Sequence, residues 1–419
     1  MMKAQWPKYP ISELCLEVVD CVNRTAPIVE GPTHYRMIRT TNVRGGFLDL
    51  SNVNFVDEQT YRLWTRRQTP RRGDIILTRE APLGEVGLVR DDDGIFLGQR
   101  LVSYRANPDR IDERFLLYAL LGPDLQGQIQ ALGSGSTVAH MRVPDAKRLL
   151  VSTPSLQVQK RIASILSSYD DLIEANRRRI ALLEEMARRL FEEWFIHCRF
   201  PGHENTAIVE TPDDPFPEGW RAGTADNLIE FDPATIVPKE NLNPFIPMNS
   251  LSTSKSLIED IEWRKGNSGA KFRNNDTLFA RITPCLENGK TGLVRDLPGD
   301  GLGCGSTEFI VMRGLKGGPA FCYCLARHKD FREHARRSMS GASGRQRART
   351  ESLRTYPIGI PPDELLQQFE KSAWPLLQLS GSLGAANKRL AASRDLLLPR
   401  LISGELSVSS AERELEAVA

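Results

Sequence analysis

The chain states one pattern twice, and that duplication constrains its fold more than any other feature. Laid over "NDTLFARITPCLENGKTGLV" (275–294), the stretch "GDIILTREAPLGEVGLV" (73–89) places Asp74, Arg79 and Pro82 on Asp276, Arg281 and Pro284 at a constant offset of 202. Gly87-Leu88-Val89 then falls on Gly292-Leu293-Val294 at an offset of 205, so the second copy carries three extra residues in the turn between. The match continues in order, with Phe115 on Phe321, Gly133 on Gly341, Pro154 on Pro362, Gln159 on Gln367 and Asn176 on Asn387, the offset climbing through 206 and 208 to 211. A slow one-way drift is what two diverged copies with short insertions give, whereas chance similarities scatter. A period above 200 residues describes duplicated domains, not a solenoid, and a chain of 419 residues has room for two to four domains.

The duplication disposes of two tempting motifs. Gly289-Lys290-Thr291 ends like a phosphate-binding loop, but the position that needs the first glycine is Pro284, which has a fixed φ and no N–H to donate. The segment reads instead as a longer turn in the second copy of a β-hairpin. Cys322, Cys324, His328 and His334 resemble a zinc set, yet they fall on an expected helix, where residues two apart point in different directions. Cys322 and Cys324 also align with Leu116 and Tyr118, which offer no ligand, so core packing is the expectation.

Each copy has two parts. The first mixes short β-like runs (75–78, 86–89 and 101–105 in copy one) with glycine and asparagine turns and a helix near 113–121, an α+β pattern. The second opens at Thr153-Pro154, an N-cap followed by proline in the first helical turn. From Ser155 to Phe200 there is neither glycine nor proline, and Ile162, Leu166, Tyr169, Ile173, Asn176, Ile180, Leu183, Ala187, Leu190 and Trp194 recur at alternating steps of four and three. That is a heptad seam, and at 1.5 Å per residue the helix would extend roughly 60 Å. Its partner is expected in copy two, from about Asp363 to Ser403, where Leu376, Leu383, Asn387, Leu390, Leu397 and Leu401 fit a seam that Ser380 and Arg394 interrupt and Pro375 breaks or kinks. Asn176 and Asn387 are either polar seam residues that fix register or exposed asparagines. The expected organisation is a mixed domain over 1–152, a long helix over 153–200, a proline- and acid-rich linker over 201–218, a second mixed domain over 219–360, a second long helix over 361–407 and a tail over 408–419.

Net charge is only +2, but the charge is unevenly distributed. Arg62, Arg66, Arg67, Arg71 and Arg72 lie together without an acid, around Trp64, and residues 327–349 carry eight Lys/Arg against two acids. A solvated surface and a nucleic-acid contact both fit such runs. Seven cysteines without disulfide-like spacing, an opening "MMKAQWPKYP" without an apolar signal region and no apolar run near 18 residues point to a reduced, cytoplasmic protein with no membrane span.

With these features in place, the chain resembles the specificity subunit of type I restriction-modification enzymes from about Trp6 to Leu406. The strings that carry the resemblance are "LEEMARRLFEEWFIHCRFPG" and "RDLLLPRLISGEL" at the ends of the two long helices, supported by "PSLQVQKRIASIL" and "PPDELLQQF" at their starts. The resemblance implies two target recognition domains, each reading half of a split, asymmetric site on double-stranded DNA, related by a pseudo-twofold axis and separated by two long helices that pair as an antiparallel coiled coil. It also implies that catalysis belongs to other chains: methyltransferase (modification) subunits, two in number, and restriction/translocase subunits, which bring S-adenosylmethionine, ATP and Mg. The sequence agrees, since it has no Asn-Pro-Pro-aromatic string; Asn243-Pro244-Phe245 lacks the second proline. The exposed helix faces and the "LFEEWF" aromatics are docking candidates for methyltransferase subunits, unless they pack on the second helix.

Residue types that read base edges or hold phosphates select Arg39, Thr40, Thr41, Asn42, Arg44, Arg79, Ser136, Thr137, His140 and Arg142 in copy one as DNA-contact candidates. In copy two they select Asn249, Ser250, Arg281, Lys290, Arg345, Gln346, Arg347 and Arg349. Arg79 and Arg281 stand out because both copies keep arginine directly after a strand. Two other readings remain: a self-contained nuclease or NTPase resting on "GKT", and a coiled-coil scaffold whose duplicated domains bind protein.

Overall fold

A computed structural model describes residues 6–133, 139–210, 215–341 and 345–416. The chain divides into two units, one formed by residues up to 173 together with those from 389 onward, the other by 174–388. No helix among the described residues is long and apolar enough to cross a membrane.

In the first unit a four-stranded sheet has the order Cys15–Asp20, Leu101–Ala106, Ile75–Arg79, Leu83–Leu88, all neighbours antiparallel. Its two inner strands, "IILTR" and "LVSYRA", are β-branched and aromatic and almost wholly buried, as strands covered on both faces must be. A smaller sheet joins Asn54–Val56, Tyr35–Ile38 and Ile95–Leu97, the last two running parallel. The helix Glu113–Leu121 is started by Asp112, whose carboxylate accepts the Phe115 N–H at 2.9 Å, and it buries Phe115 to Leu120.

The second unit repeats this topology. Ile229–Phe231, Phe309–Gly314, Thr277–Ala280 and Thr291–Leu293 follow one another in the same order. Leu242–Ile246 again runs parallel to Leu302–Gly305, with an extra strand, Ala270–Arg273, beside them. The motif pairs match at atomic detail. Ala81-Pro82 and Thr283-Pro284 are both cis, and Asp74 and Asp276 are both buried and gripped two-pronged by Arg105 and Arg313, with every N···O distance between 2.8 and 2.9 Å. The "GKT" residues close the hairpin between Thr277–Ala280 and Thr291–Leu293, with the Lys290 ammonium donating to the Met248 carbonyl at 3.0 Å. Cys322 and Cys324 sit buried in the helix Gly318–Arg327, where burial pushes both thiols well above their ordinary range.

Two long helices, Leu156–Phe191 and Asp363–Ile402, run through the boundary between the units. Within the first unit Ile162, Ile165 and Leu166 share one core with Leu398, Leu401 and Ile402. Within the second, Asn176 donates to Asn387 at 2.9 Å and Ser380 to Glu184 at 2.9 Å, so the numbering rises along one helix as it falls along the other and the pair is antiparallel. Asn176 is thus a seam residue. The first seam is as expected, every position from Ile162 to Trp194 being buried or half-buried.

The second helix departs from expectation in two ways. Pro375 does not break it: the residue is exposed, and water can serve the Lys371 carbonyl that loses its donor there. Ser380 and Arg394, the supposed interruptions, are buried like Leu401, at 0% and 8% exposed, while Leu376, Leu383, Leu390 and Leu397 are only half-buried. The cause is a buried acid on the first helix opposite each. Asp170, 0% exposed, takes the Arg394 guanidinium at 2.5 Å and the Tyr118 hydroxyl at 2.6 Å. Glu184, 1% exposed, takes Ser380, the Ser256 N–H at 3.0 Å and hydroxyl at 2.7 Å, and Tyr323 at 3.4 Å.

The "LFEEWF" aromatics pack inward. Phe191, Trp194 and Phe195 are buried, with the Phe195 ring 5.0 Å from both Phe321 and Phe369, so they belong to the core of the second unit and not to a docking surface.

Candidate nucleic-acid interface

Three loops meet at the cis-proline end of the larger sheet in each unit. In the first, the turn after Ile75–Arg79 is held on one side by Thr40, whose hydroxyl donates to the Ala81 carbonyl at 2.9 Å. On the other side Met141 N–H donates to the Arg79 carbonyl at 2.9 Å, and Glu80 bridges to His140 at 3.2 Å and Arg100 at 3.4 Å. The segments 39–44, 79–82 and 140–142, far apart in sequence, are therefore one surface.

The candidate residues play different parts there. Thr41, Arg44 and His140 are exposed. Arg142 is exposed but paired with Asp145 at 2.8 Å. Arg39 spends one Nη2 hydrogen bond on the Asn52 carbonyl at 2.8 Å. Asn42, 3% exposed, donates to the Asp49 and Asn52 carbonyls and shapes the loop. Arg79 is 8% exposed, with Nη1 on the Met141 carbonyl at 3.2 Å, so it braces the third loop against the first strand. Ser136 and Thr137 lie outside the described residues.

The second unit repeats the junction with different chemistry. Thr283 and Gln346 exchange backbone and hydroxyl bonds at 3.0 and 3.2 Å, and the Ala348 N–H reaches the Arg281 carbonyl at 2.8 Å. Arg347, the counterpart of His140, forks onto Glu308 at 2.6 to 3.0 Å, and that guanidinium holds the Glu308 carboxyl below its ordinary range. The acid has changed strands between the copies and the brace has survived. Arg345 and Asn249 are exposed, Ser250 is buried, Lys290 is tied to Met248, and Arg349 bonds the Ser340 hydroxyl at 3.1 Å. Arg281 borders an open cleft of about 510 Å³ with Lys271, Thr235, Thr307 and Asp232. Asp232 is already engaged by the Val311 N–H at 3.0 Å and the Thr350 hydroxyl at 2.9 Å, which leaves two cations facing the cleft.

The two basic runs divide as well. Arg62 and Arg67 are paired with Glu58 and Asp20, while Arg66, Arg71 and Arg72 are exposed and in no ion pair among the described residues. In the second run Arg327 donates to the Gly289 and Thr253 carbonyls and Arg332 to that of Leu286, stapling the long hairpin turn from below. Sequence reasoning had no signal for those staples, because a half-buried arginine bound to carbonyls looks like any other arginine in a basic stretch.

Two α+β units of one topology, each built on part of an antiparallel pair of long helices and each ending in a three-loop junction rich in donors, define the architecture of a duplicated recognition protein. Residues 38–185 match the family described as type I restriction modification DNA specificity domain. The chain is 24% identical over 348 residues to the type I restriction enzyme MjaIX specificity subunit of Methanocaldococcus jannaschii, covering 80% of this chain and 78% of that one. It is 30% identical over 164 residues to the EcoEI specificity subunit of Escherichia coli, 37% of this chain and 27% of that one. The crystal structure of a type I restriction-modification S subunit from M. genitalium superposes with a TM-score of 0.53 at 17% identity, covering 94% of this chain and 96% of that one, which supports the fold. The chain is thus similar, through residues 38–185 in the family match and through most of its length in the M. jannaschii protein, to the specificity subunits of type I restriction-modification systems.

Proposed function

We propose that this chain is the non-catalytic DNA-reading subunit of a type I restriction-modification complex, in which each unit reads one half of an asymmetric bipartite site. The observation that carries the proposal is the three-loop junction, present in both units with one backbone plan and two different sets of side chains. A shared scaffold with divergent contacts is what two half-sites of different sequence require, since phosphate contacts position a reader and base contacts specify. In the first unit Thr41, Arg44 and His140 are the exposed contacts, with Arg66, Arg71 and Arg72 as phosphate anchors; in the second Asn249, Arg345 and the cleft beside Arg281 take those parts.

Methylation, translocation and cleavage then fall to partner chains, two modification subunits and the restriction subunits, which bind S-adenosylmethionine, ATP and Mg. Lys290 takes no part in nucleotide chemistry, because its ammonium is spent on a carbonyl inside a proline-started turn. Genome-wide mapping of adenine methylation with and without the chain tests the proposal: one bipartite motif is expected to vanish. Replacing residues 1–152 with those of another subunit is expected to change one half of that motif only, and a change in both halves would refute the division of labour.

A further inference from the structure

Burying a carboxylate between two helices costs desolvation that an apolar residue of similar size avoids, and pairing rarely returns more than it takes. Yet the two units each do so, at Asp170 and Glu184, and in the same three-way manner. Each carboxylate leaves the first long helix and touches a side chain of the second helix, Arg394 or Ser380. Each also touches the recognition domain of its own unit, through the Tyr118 hydroxyl at 2.6 Å or through Ser256 at 2.7 Å. Burial beside Asp170 keeps the Tyr118 phenol protonated and donating. In the second unit the Arg295 guanidinium closes the cluster, donating to the Ser256 hydroxyl at 2.5 Å.

A greasy contact between a domain and a helix pair tolerates sliding and tilting, because dispersion and burial are not directional. A hydrogen bond to a buried charge has one position, and leaving it costs more than an ordinary bond. We infer that Asp170 and Glu184 are positioning joints that fix the angle at which each recognition domain stands on the helix pair, and so restrict the spacer between the half-sites to one length. This rests on the bipartite reading proposed above. DNA turns by about 34° and rises about 3.4 Å per base pair, so a spacer changed by one base pair demands a tilt that a loose joint permits and a tight one forbids.

The test uses the full chain in complex with its modification subunits, on plasmids carrying the two mapped half-sites with the native spacer or with one base pair more or fewer. Tyr118→Phe removes one hydroxyl and leaves the Asp170–Arg394 pair intact, and Ser256→Ala removes one hydroxyl and leaves the backbone N–H on Glu184. Each is expected to lower the preference for the native spacer roughly tenfold, the scale of one hydrogen bond to a charge, without altering the bases read in either half-site. A merely structural role would lower all methylation alike. Unchanged spacer preference in a folded Ser256→Ala complex, or in both variants, overturns the inference alone. A wild-type complex that methylates no bipartite motif overturns the bipartite reading and this inference with it.

Discussion

Replacing Asp276 with asparagine keeps the side-chain shape and removes the charge that the second unit's main sheet is built around. Asp276 accepts Arg313 Nε and Nη2, each at 2.8 Å, and the Arg273 N–H at 2.8 Å. Asparagine has one oxygen and a donor amide, so at least one prong of the guanidinium fork then faces another donor, in a site where the aspartate is 1% and the arginine 12% exposed. Removing one partner of a buried pair costs about 3–5 kcal/mol; Arg313 keeps the Thr235 hydroxyl at 3.0 Å, which places the expected loss near the bottom of that range, about 3 kcal/mol. In the first unit Arg105 keeps a second carboxylate, Glu17 at 2.8 Å, so Asp74→Asn is expected to lose less, about 2 kcal/mol. Urea unfolding followed by hydrogen exchange of Thr277–Ala280 and of Ile75–Arg79 reports the two units separately. Asp276→Asn with Arg313→Met, which leaves no orphaned charge, is expected to recover most of the loss. A single substitution that loses under about 1 kcal/mol, or a double one as costly as the single, would refute the claim that the uncompensated charge sets the loss.

Three further outcomes follow from the same geometry. Glu370 accepts the Phe321 N–H at 2.8 Å at the start of a buried helix, and burial pushes its carboxyl up from 4.5 to about 7. The folded state thus holds a proton that the unfolded chain releases; the stabilisation is full below pH 4.5 and is lost as pH rises through about 7, on the order of 3 kcal/mol in all, and Glu370→Gln should flatten that slope in denaturation at graded pH. Arg44→Ala and Arg345→Ala are each expected to weaken DNA binding and to reduce the log–log salt slope by about one; an unchanged slope would remove that residue from the phosphate contacts, and a wild-type slope near zero would favour a protein-binding scaffold. A strong chelator is expected to leave the thermal unfolding midpoint unmoved, because Cys322 and Cys324 are buried in one helix, with the Cys324 thiol directed at the Ala187 carbonyl.

The duplication, the hairpins and the first long helix were legible in the sequence because each rests on a local pattern: hydrophobic period, proline placement, or glycine at a turn. The helix near 113–121 needed nothing more. What stayed hidden was polar and non-local. Asp170 and Glu184 read as ordinary acids on a charged helix until Arg394, Ser380, Tyr118 and Ser256 are brought to them from up to 224 residues away. For the same reason Ser380 and Arg394 looked like faults in a seam when they are buried within it. In the candidate interface the sequence picked out segments that the structure brings together at one end of a sheet, but it could not separate exposed residues, such as Arg44 and Arg345, from those that hold the loops together, such as Asn42, Arg79 and Lys290.

The core of the first unit is assembled from both ends of the chain: Leu398, Leu401, Leu406, Val408 and Ala411 lie in one cluster with Ile11, Val102 and Phe115. The second unit is drawn from one continuous stretch, 174–388. During synthesis the order of completion is therefore reversed relative to the order of translation. The domain made first has to wait with an open apolar flank until residues 398–411 have been made, while the one made second needs nothing beyond residue 388. Released chains that end near residue 390 are expected to resist protease in their later half and be cut in their earlier one, and such incomplete chains are where aggregation and chaperone capture should concentrate.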